Sequence, residues 1–410
     1  MRILVLNSGS SSVKFQLIET SPEQIASSSD RMVARGSIER IGSSEALVKY
    51  TSCCNGSENF AKPIADHKQA IETAFQSLTG EHGVIGSADE VEAVGHRMVH
   101  GGEHFTVPAV IDEEVVRRIE LCFDLAPLHN PHNLKGYFAA KQHLPNASHV
   151  AVFDTSFHHT LPPKAFLYGI PYSHYKKDKV RRYGFHGVSH RYVSYRFAQL
   201  HGTTRDHYKL ITCHLGNGCS MCAIDHGRSV DTSMGFTPLE GLVMGTRSGS
   251  LDPGVLFYLV GKSDMSIADV EVMLNRHSGL YGLSGVSNDM RDLLEEADRG
   301  NVRAQLAVDV FCYRVKKYFG AYLAALNGAD AIIFTGGIGE NAAMIRSRVC
   351  DQLDGLGVSI DWHKNEGIID GREGEISTDE SRIKVWVIPT NEELVIARDT
   401  LRCIFGIPYP

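Results

Sequence analysis

The alternation of apolar and polar positions at the start of the chain predicts two β-strands joined by a short turn. Residues 2–7, RILVLN, are mostly apolar, whereas residues 13–19, VKFQLIE, place Val13, Phe15 and Leu17 on one face. A period of two residues is typical of a strand with one buried face. Similar patterns predict strands at residues 149–154, 208–215, 220–225, 330–337 and 383–389, of which the fourth ends in a glycine turn.

Helical periodicity separates these strands. Apolar residues recur with the spacing of a helix at residues 67–80, 113–123, 301–327 and 392–402. In the longest of these segments, the residues predicted to lie near one buried stripe are Val302, Leu306, Val310, Val315, Tyr318, Tyr322 and Leu326. Strands that alternate with helices throughout a chain predict the α/β class.

Two distant stretches repeat one plan, an apolar strand, a small polar turn with glycine, and a second strand. Residues 3–19 read ILVLNSGSSSVKFQLIE, and residues 210–225 read LITCHLGNGCSMCAID. The repetition suggests two domains of common origin, each with a glycine hairpin. The alternative is that hairpins of this kind occur in many α/β proteins without any duplication.

Composition excludes several classes of function. The 410 residues allow two or three domains, and a hydrophobic content of 43% is ordinary for a globular protein. The net charge of −7 gives no bulk attraction for nucleic acid or for an anionic membrane. The start of the chain does not resemble a secretory signal, and the nine cysteines suit reduced thiols, so we expect a cytoplasmic protein.

Three glycine-rich loops are suited to binding an anion, because small residues expose backbone N–H groups. The first, residues 6–15, is not a P-loop, since a strand pattern follows Lys14. The second is residues 214–220. The third, residues 334–342, also matches G-x-G-x-x-A and has Asp361 about twenty residues later, which leaves a dinucleotide-dependent oxidoreductase as an alternative. Together the three loops favour a nucleoside triphosphate held between two lobes.

Charged residues beside these loops are candidates for catalysis. Arg97 and Arg247 lie next to glycines, where a guanidinium can meet carboxylate or phosphate oxygens. Asp154 ends a predicted strand, and His186 precedes a predicted helix, although a surface arginine or a loop histidine is the commoner role for such residues. Glycines interrupt the evenly spaced histidines at residues 96–104, and no HExxH motif occurs, so a zinc site is disfavoured.

Seven motifs in order closely resemble those of the acetate kinase family. They are LNSGSSSVKF, HRMVHGG, VFDTSFH, YGFHGVSH, HLGNG, FTGGIGEN and PTNEE, and they span nearly the whole chain. The resemblance implies two ribonuclease-H-like domains of the actin-like ATPase fold, with the nucleotide in the cleft between them. We expect an N-terminal lobe of residues 1–154 plus 388–410 and a nucleotide-binding lobe of residues 155–387. It also implies reversible transfer of a phosphoryl group from ATP to acetate, with Mg²⁺, or Mn²⁺ as an alternative.

The resemblance also implies roles for individual residues. The predicted catalytic residues are Asp154, His186 and Arg247, and the predicted metal residues are Asn7 and Glu392, with Glu393 as the alternative carboxylate. The predicted substrate residues are Arg97, Val99, Leu128, Phe185 and Pro238. The predicted nucleotide residues are Lys14, His214, Leu215, Gly216, Asn217, Gly218, Asp289, Met290, Arg291, Gly337, Ile338, Gly339, Glu340 and Asn341. Because acetate is already ionised at neutral pH, Asp154 is better suited to orienting a neighbouring group than to removing a proton.

Two alternatives to an acetate kinase follow from the same resemblance. A propionate kinase of the same fold differs by one methylene in its substrate, which a pocket discriminates by only about 1–3 kcal/mol; the bulk of Val99 favours acetate. An actin-fold ATPase would hydrolyse ATP without a carboxylate substrate. The family is usually dimeric, so a homodimer is expected.

Overall fold

The computed structural model describes residues 1–127, 129–263 and 265–409, and its strands form two sheets. The strands of the first sheet are β1 Arg2–Ser8, β2 Ser12–Glu19, β3 Arg31–Glu39, β4 Ser43–Ser52, β5 Ser57–Ile64, β6 Ala93–Met98, β7 Ala109–Val110 and β8 Ser148–Phe153. Those of the second sheet are β9 Lys209–Leu215, β10 Cys219–Asp225, β11 Arg228–Thr232, β12 Ala331–Thr335, β13 Gly374–Glu375 and β14 Lys384–Val387.

The α-helices lie between these strands along the chain. The first six are α1 Pro22–Ser27, α2 His67–Thr79, α3 Glu113–Glu120, α4 Asn130–His143, α5 Pro163–Phe166 and α6 Tyr172–Asp178. The next six are α7 Gly187–Leu200, α8 Gly254–Lys262, α9 Ile267–Arg276, α10 Gly279–Ser284, α11 Met290–Asp298 and α12 Val302–Leu326. The last four are α13 Gly336–Asn341, α14 Ala343–Cys350, α15 Trp362–Gly367 and α16 Glu392–Phe405. No helix in these described ranges is long and apolar enough to cross a membrane.

The chain divides into two compact units. Unit 1 contains residues 1–156 and 391–410, and unit 2 contains residues 157–390. Both boundaries lie slightly after the predicted ones at 154 and 388. Unit 2 is therefore inserted into unit 1, whose last helix, α16, is the final element of the chain.

The two sheets share one strand order. In unit 1 the order is β5-β4-β3-β2-β1-β6-β8-β7, and in unit 2 it is β11-β10-β9-β12-β14-β13. Each sheet thus contains an antiparallel three-strand meander followed by two strands parallel to its first strand. The predicted repetition is confirmed at the level of topology, and β1–β2 and β9–β10 are the corresponding hairpins.

The central strand of each unit is buried on both faces. In β1, residues 3–6 are at most 1% exposed, which explains their unbroken apolar run. Helix α16 packs against β6, and Gly95 permits the close approach, since a Cβ there would lie 2.4 Å from Thr400 Oγ1. This packing places the N-terminus of α16, with Glu392, in unit 1.

The long predicted helix is present as α12, but its buried face differs from the prediction at its start. Val302 and Leu306 are 79% and 52% exposed, whereas Ala304, Ala307 and Val308 are buried. The predicted stripe becomes correct only in the second half, where Val315, Tyr322 and Leu326 are buried. Helix α12 packs against α10 and α11, and its N-terminal turns bury Ala304 and Ala307 while Val302 and Leu306 remain exposed.

Candidate active site

Two predicted site residues, Arg97 and Asp154, form a buried pair in unit 1. Strands β6 and β8 are parallel neighbours, so their carboxyl ends lie at the same edge of the sheet. Arg97 belongs to the end of β6, and Asp154 follows β8. The guanidinium donates two hydrogen bonds to the carboxylate, from Nε to Oδ1 at 3.0 Å and from Nη2 to Oδ2 at 2.6 Å. Asp154 is only 2% exposed.

Two further carboxyl groups approach this pair from α16. Asn391 caps the helix by accepting a hydrogen bond from the backbone of Leu394, which places Glu392 and Glu393 in the first turn. Glu392 Oε2 lies 3.7 Å from Arg97 Nε. Burial raises the pKa of Glu393 above its ordinary value, and the charge of Glu392 adds to this. We call Arg97, Asp154, Glu392 and Glu393 the Arg97 cluster.

The charges in the Arg97 cluster depend on one another. Burial raises the pKa of Asp154, and the charge and hydrogen bonds of Arg97 oppose that rise. Burial disfavours the charged form of Arg97, but the charges of Asp154 and Glu392 outweigh burial and raise its pKa. Because both carboxylate oxygens accept from the guanidinium, we interpret the pair as ionised. Arg97 thus faces three carboxyl groups, and Lys14 is a further cation whose charge, like that of Arg97, opposes the rise in the pKa of Glu393.

The serine turn after β1 is held by its backbone and by α4. Asn7 pairs with Lys14 in the β1–β2 register, and Gly9 donates a backbone hydrogen bond to Ser12. Asn133 of α4, which the sequence analysis missed, donates to the carbonyl of Ser8 at 2.7 Å and accepts from the backbone of Val99 at 3.0 Å. It therefore fixes the serine turn relative to the segment after β6.

A neighbouring asparagine, also missed, has a similar role. Asn130 exchanges hydrogen bonds with both backbone groups of His100, at 3.1 and 2.9 Å. The sequence feature that could have identified these two residues is their spacing of three, which places two side-chain amides one turn apart at the start of a helix; both are buried.

His186 in unit 2 has the backbone conformation of a strained residue. It precedes α7 in the left-handed region, with φ 57° and ψ 23°, which is uncommon for residues other than glycine and is often associated with function. Its Nδ1 lies 2.9 Å from Ser220 Oγ on β10, and its ring centroid is 4.3 Å from that of His214 on β9. His214 Nδ1 in turn lies 2.7 Å from Ser189 Oγ.

Gly218, in the turn between β9 and β10, brings His186 and Arg247 together. A Cβ built on Gly218 would lie 3.5 Å from His186 Nε2 and 3.8 Å from Arg247 Nη1. The pKa of Arg247 is lowered by burial, and in the described part of the chain no acidic side chain pairs with it. Among the described residues, its hydrogen-bonded oxygen is the carbonyl of Pro238, at 3.3 Å. A half-buried, uncompensated guanidinium next to an imidazole suits an anion.

The turn that carries Gly218 is connected to two further loops. The backbone of Asn217 accepts from Gly245 at 2.9 Å, and its side-chain oxygen accepts from Asn288 at the same distance. A Cβ on Gly245 would lie 1.9 Å from Asn217 Oδ1, so any larger residue there would displace the Asn217 side chain. We call His186, His214, Gly218, Ser220 and Arg247 the His186 cluster.

The predicted nucleotide residues near α11 have local partners. Asp289 caps this helix and pairs with Arg291 through Nε at 3.0 Å and Nη2 at 2.6 Å. Arg291 is exposed, whereas Met290 is buried in the core. Of the three residues, Met290 is thus the one whose side chain faces the protein interior.

The third glycine loop is strand β12 followed by the short helix α13. Glu340 accepts hydrogen bonds from the backbones of Gly336 at 2.8 Å and Thr390 at 3.1 Å. Asn341 donates to the carbonyl of Gly337 and accepts from the backbone of Asp370. These two side chains therefore hold the loop in shape. Gly337 is exposed, Ile338 is half-buried and Gly339 is buried, while Leu215, from the second loop, is also buried.

The residue that suggested a dinucleotide site has a different partner. Asp361 caps α15 by accepting from the backbone of Lys364 at 3.0 Å. Its position about twenty residues after Gly337 is thus explained by helix capping, and this removes the support for an oxidoreductase.

The residues predicted to surround the methyl group belong to both units. Val99 is half-buried in unit 1, and Phe185 in unit 2 is buried, with its carbonyl 3.0 Å from His158 Nε2. Pro238 is the residue whose carbonyl accepts from Arg247. Leu128 lies outside the described residues.

The carboxyl groups of the Arg97 cluster are suited to a hard cation. Among the described residues, no group of three or more histidine, cysteine or acidic side chains is arranged to hold a metal ion by itself. Magnesium commonly binds to one or two carboxylates together with water and substrate phosphates. Glu392 and Glu393 supply such oxygen donors, and the raised pKa of Glu393 indicates that added positive charge would stabilise this position.

Comparisons with known proteins agree in one family. The profile of the acetokinase family matches residues 2–398. The chain is 53% identical to an acetate kinase of Chloroherpeton thalassium, with 98% of this chain and 99% of that protein covered. It resembles the crystal structure of Porphyromonas gingivalis acetate kinase, with a TM-score of 0.91, 44% identity and coverage of 98% and 99%. It also resembles a propionate kinase from Francisella tularensis, with a TM-score of 0.89, 40% identity and coverage of 97% and 98%.

Proposed function

This chain belongs to the acetokinase family, and from that premise we propose that it transfers the γ-phosphoryl group of ATP reversibly to acetate. The products are acetyl phosphate and ADP. The family likeness confirms the predicted fold of two actin-like ATPase domains, which the shared strand order of the two sheets also supports. The observation that carries the chemistry is the convergence of His186 Nε2 and the uncompensated Arg247 guanidinium on the space beside Gly218.

The proposal assigns roles to residues of both units. Arg97 binds the acetate carboxylate, and Asp154 orients the guanidinium through two hydrogen bonds. His186 and Arg247 stabilise the phosphoryl group during transfer, and the predicted nucleotide residues of unit 2 hold the rest of the nucleotide. Phosphoryl transfer of this type depends mainly on positioning and charge stabilisation, so fixed cations are the groups it needs.

Magnesium belongs to the same proposal as a partner of the nucleotide. Glu392 would hold it, with Asn7 at the end of β1 as the second predicted metal residue and Glu393 as the alternative carboxylate. When bound, it supplies positive charge that offsets the triphosphate and the carboxyl groups of the Arg97 cluster.

A hydroxamate assay for acyl phosphate tests the activity. With ATP and Mg²⁺, we expect product from acetate and a lower kcat/KM with propionate, because Val99 is bulky and one methylene is worth about 1–3 kcal/mol. Val99→Ala is expected to raise the kcat/KM for propionate relative to the kcat/KM for acetate. ATP hydrolysis that ignores both acids would contradict the proposal in favour of an actin-fold ATPase.

Arginine variants test the assigned roles. Arg247→Ala is expected to lower kcat about a hundredfold or more, comparable with the loss of one donor to a developing anion. The matched control is Arg117→Ala, since Arg117 is exposed on α3 and pairs with Glu114 one turn earlier on the same helix. Wild-type kinetics in Arg247→Ala would remove this residue from the mechanism.

We further propose a homodimer that acts in the cytoplasm. Helix α8, with the sequence GVLFYLVGK, has no buried residue, and Phe257 and Tyr258 are 76% and 59% exposed. A short helix in water gains little stability without packing. A second copy of the chain would supply that packing. Phe257→Glu is therefore expected to produce monomers in light-scattering measurements, and a wild-type monomer would contradict the dimer. The proposed cytoplasmic location is supported by a different observation. The described cysteines are free thiols, which persist in a reducing compartment, and the proposed substrate ATP is available there.

A further inference from the structure

A chain of hydrogen bonds leads from the core of unit 2 to His186. His190 Nδ1 lies 2.7 Å from Thr212 Oγ1, and His190 Nε2 lies 2.8 Å from Ser220 Oγ. Ser220 Oγ is also 2.9 Å from His186 Nδ1. Thr212, His190 and Ser220 are all 0% exposed. We call these three residues the relay, and their contacts decide where the proton of His186 resides.

Every hydrogen bond of the relay must point the same way. Burial lowers the pKa of His190 well below its ordinary value, so its ring is neutral and has one N–H and one acceptor nitrogen. Ser220 has a single hydroxyl proton and two imidazole partners, so it donates to one ring and accepts from the other. Only two arrangements remain, one that donates toward Thr212 and one that donates toward His186.

The burial of Thr212 selects the direction. If His190 donated to Thr212, the threonine hydroxyl would need another acceptor, and the described residues provide none. A buried donor without a partner costs about 1–3 kcal/mol, whereas an oxygen with an unused lone pair costs less. Thr212 therefore donates to His190 Nδ1, His190 Nε2–H donates to Ser220, and Ser220 donates to His186 Nδ1.

We propose that the relay holds His186 as the tautomer protonated at Nε2, so that His186 contacts the phosphoryl group as a neutral hydrogen-bond donor. This inference rests on the proposed function for its catalytic meaning, while the tautomer itself does not depend on it. Nε2 is the nitrogen nearest the space beside Gly218, next to Arg247. The relay residues are positioning residues, since they act through His186.

The charges around His186 are consistent with a neutral ring. The His214 ring on β9 has its centroid 4.3 Å from that of His186 and is tilted by 33°, Arg247 lies across Gly218, and Ser220 connects His186 to His190. Arg247 is a cation, and a hydrogen bond donated to Nδ1 stabilises the neutral imidazole. Removing the Ser220 hydroxyl is therefore expected to raise the pKa of His186.

Nitrogen NMR of the ¹⁵N-histidine-labelled protein without substrates reads the tautomer directly, with His186→Gln used to assign the signal. We expect the wild type to contain the Nε2–H tautomer of His186. We expect Ser220→Ala to contain a mixture of the two His186 tautomers, with a higher His186 pKa than in the wild type. Thr212→Val is the decisive control. If the relay donates toward His186, the wild type has the Nε2–H tautomer of His186 and Thr212→Val keeps it. If the relay donates toward Thr212, the wild type has the Nδ1–H tautomer and Thr212→Val converts it to the Nε2–H tautomer.

Kinetics supply the second readout. Ser220→Ala is expected to lower kcat roughly ten- to a hundredfold with little change in the KM for acetate, and to move the acidic limb of the pH profile to higher pH. His190→Gln retains an N–H donor near Nε2 and is expected to recover much of the activity that His190→Leu loses. A wild-type His186 protonated at Nδ1, or a tautomer unchanged in Ser220→Ala, overturns the relay. Absence of acyl phosphate formation in the wild type would instead overturn the proposed function.

An independent observation concerns the turn between β4 and β5. Cys53 and Cys54 are exposed neighbours with their Sγ atoms 2.9 Å apart, while the other described cysteines are buried or half-buried. The turn is preorganised, since Cys53 donates its backbone hydrogen bond to Val33 at 2.9 Å and Asn55 donates to Ser52 Oγ at 2.8 Å.

We infer that Cys53 and Cys54 form a vicinal dithiol site for trivalent arsenicals. An arsenoxide, R–As=O, would form two As–S bonds. The two thiol protons would leave with the oxygen as one water molecule, and no oxidant would be required. The second As–S bond forms intramolecularly, which raises the affinity over a single thiol.

Intact-mass measurement with phenylarsine oxide tests this site. The wild type is expected to form one adduct that resists a monothiol competitor, and Cys53→Ser or Cys54→Ser is expected to weaken it by about a hundredfold. Cys403→Ser is the matched control and keeps the adduct. An adduct of wild-type affinity in the Cys53→Ser/Cys54→Ser double variant would overturn the assignment.

Discussion

Replacing Arg97 with methionine tests the charge balance of the Arg97 cluster. Methionine keeps much of the side-chain volume but removes the cation that faces Asp154 and Glu392. The side chain of Arg97 is 17% exposed and that of Asp154 is 2% exposed, so the pair is buried. Removing one partner of a buried ion pair typically costs about 3–5 kcal/mol, because the other charge is left without compensation. We expect a loss of this size in the free energy of unfolding at pH 7.

The same reasoning predicts how the loss changes with pH. Burial raises the pKa of Asp154 in the folded protein, and the loss of Arg97 removes the main effect that lowers it. A carboxyl group with a raised pKa in the folded state binds its proton more tightly there than in the unfolded chain. The ionised Asp154 therefore lowers the free energy of unfolding by its full amount at pH values above its pKa in the folded protein. This loss shrinks as the pH falls from that pKa toward the ordinary pKa of a carboxyl group, by at most about 1.4 kcal/mol per pH unit.

Urea unfolding at pH 7, 6 and 5 measures both effects, with the wild type as the reference at each pH. Arg97→Met is expected to be most destabilised at pH 7 and to approach the wild type at pH 5. The double variant Arg97→Met/Asp154→Asn should recover much of the loss at pH 7, since it removes the uncompensated charge. A loss below about 1 kcal/mol, or one that stays constant with pH, would refute the interpretation of a buried ionised pair.

Three further predictions concern other parts of the site and the core. Gly218→Ala should fold normally, since its Cβ meets His186 no closer than 3.4 Å, but it should lower kcat about tenfold or more by filling the space beside His186 Nε2; unchanged steady-state kinetics would contradict this. Burial lowers the pKa of His96 and His149, so the wild type should lose stability in urea unfolding as the pH falls below about 6.5, and a flat profile would contradict it. Glu392→Ala should raise the magnesium concentration needed for half-maximal activity more than Glu393→Ala does, and the reverse order would assign the metal to Glu393.

Local parts of the fold were predictable from the sequence. The hairpins β1–β2 and β9–β10 are formed by residues close in the chain, so alternation and turn composition were sufficient. Which face of the first turns of α12 is buried was not predictable. Val302 and Leu306 have the apolar spacing of a buried helix face, but their side chains are exposed in the structure. The choice depends on the positions of α10 and α11, which the local pattern does not contain.

The candidate site shows the same division. Arg97, Asp154, His186 and Arg247 could be named because each follows a strand or adjoins a glycine. The pairing of Arg97 with Asp154 joins residues far apart in sequence and depends on the register of β6 and β8. Ser220 and His190 were missed as partners of His186, because a serine inside a strand pattern and a buried histidine have no sequence signal that distinguishes them from ordinary core residues.

The insertion of unit 2 into unit 1 determines the order in which the protein can be completed during synthesis. The ribosome produces β1 to β8 first, but the helix that covers β6 and carries Glu392 is made only after all of unit 2. The nascent first sheet must therefore persist with an uncovered apolar face while more than two hundred further residues are translated. A premature stop before Asn391 would yield a complete unit 2 attached to an unfinished partner, and chaperones that shield apolar surfaces would be expected to retain this product.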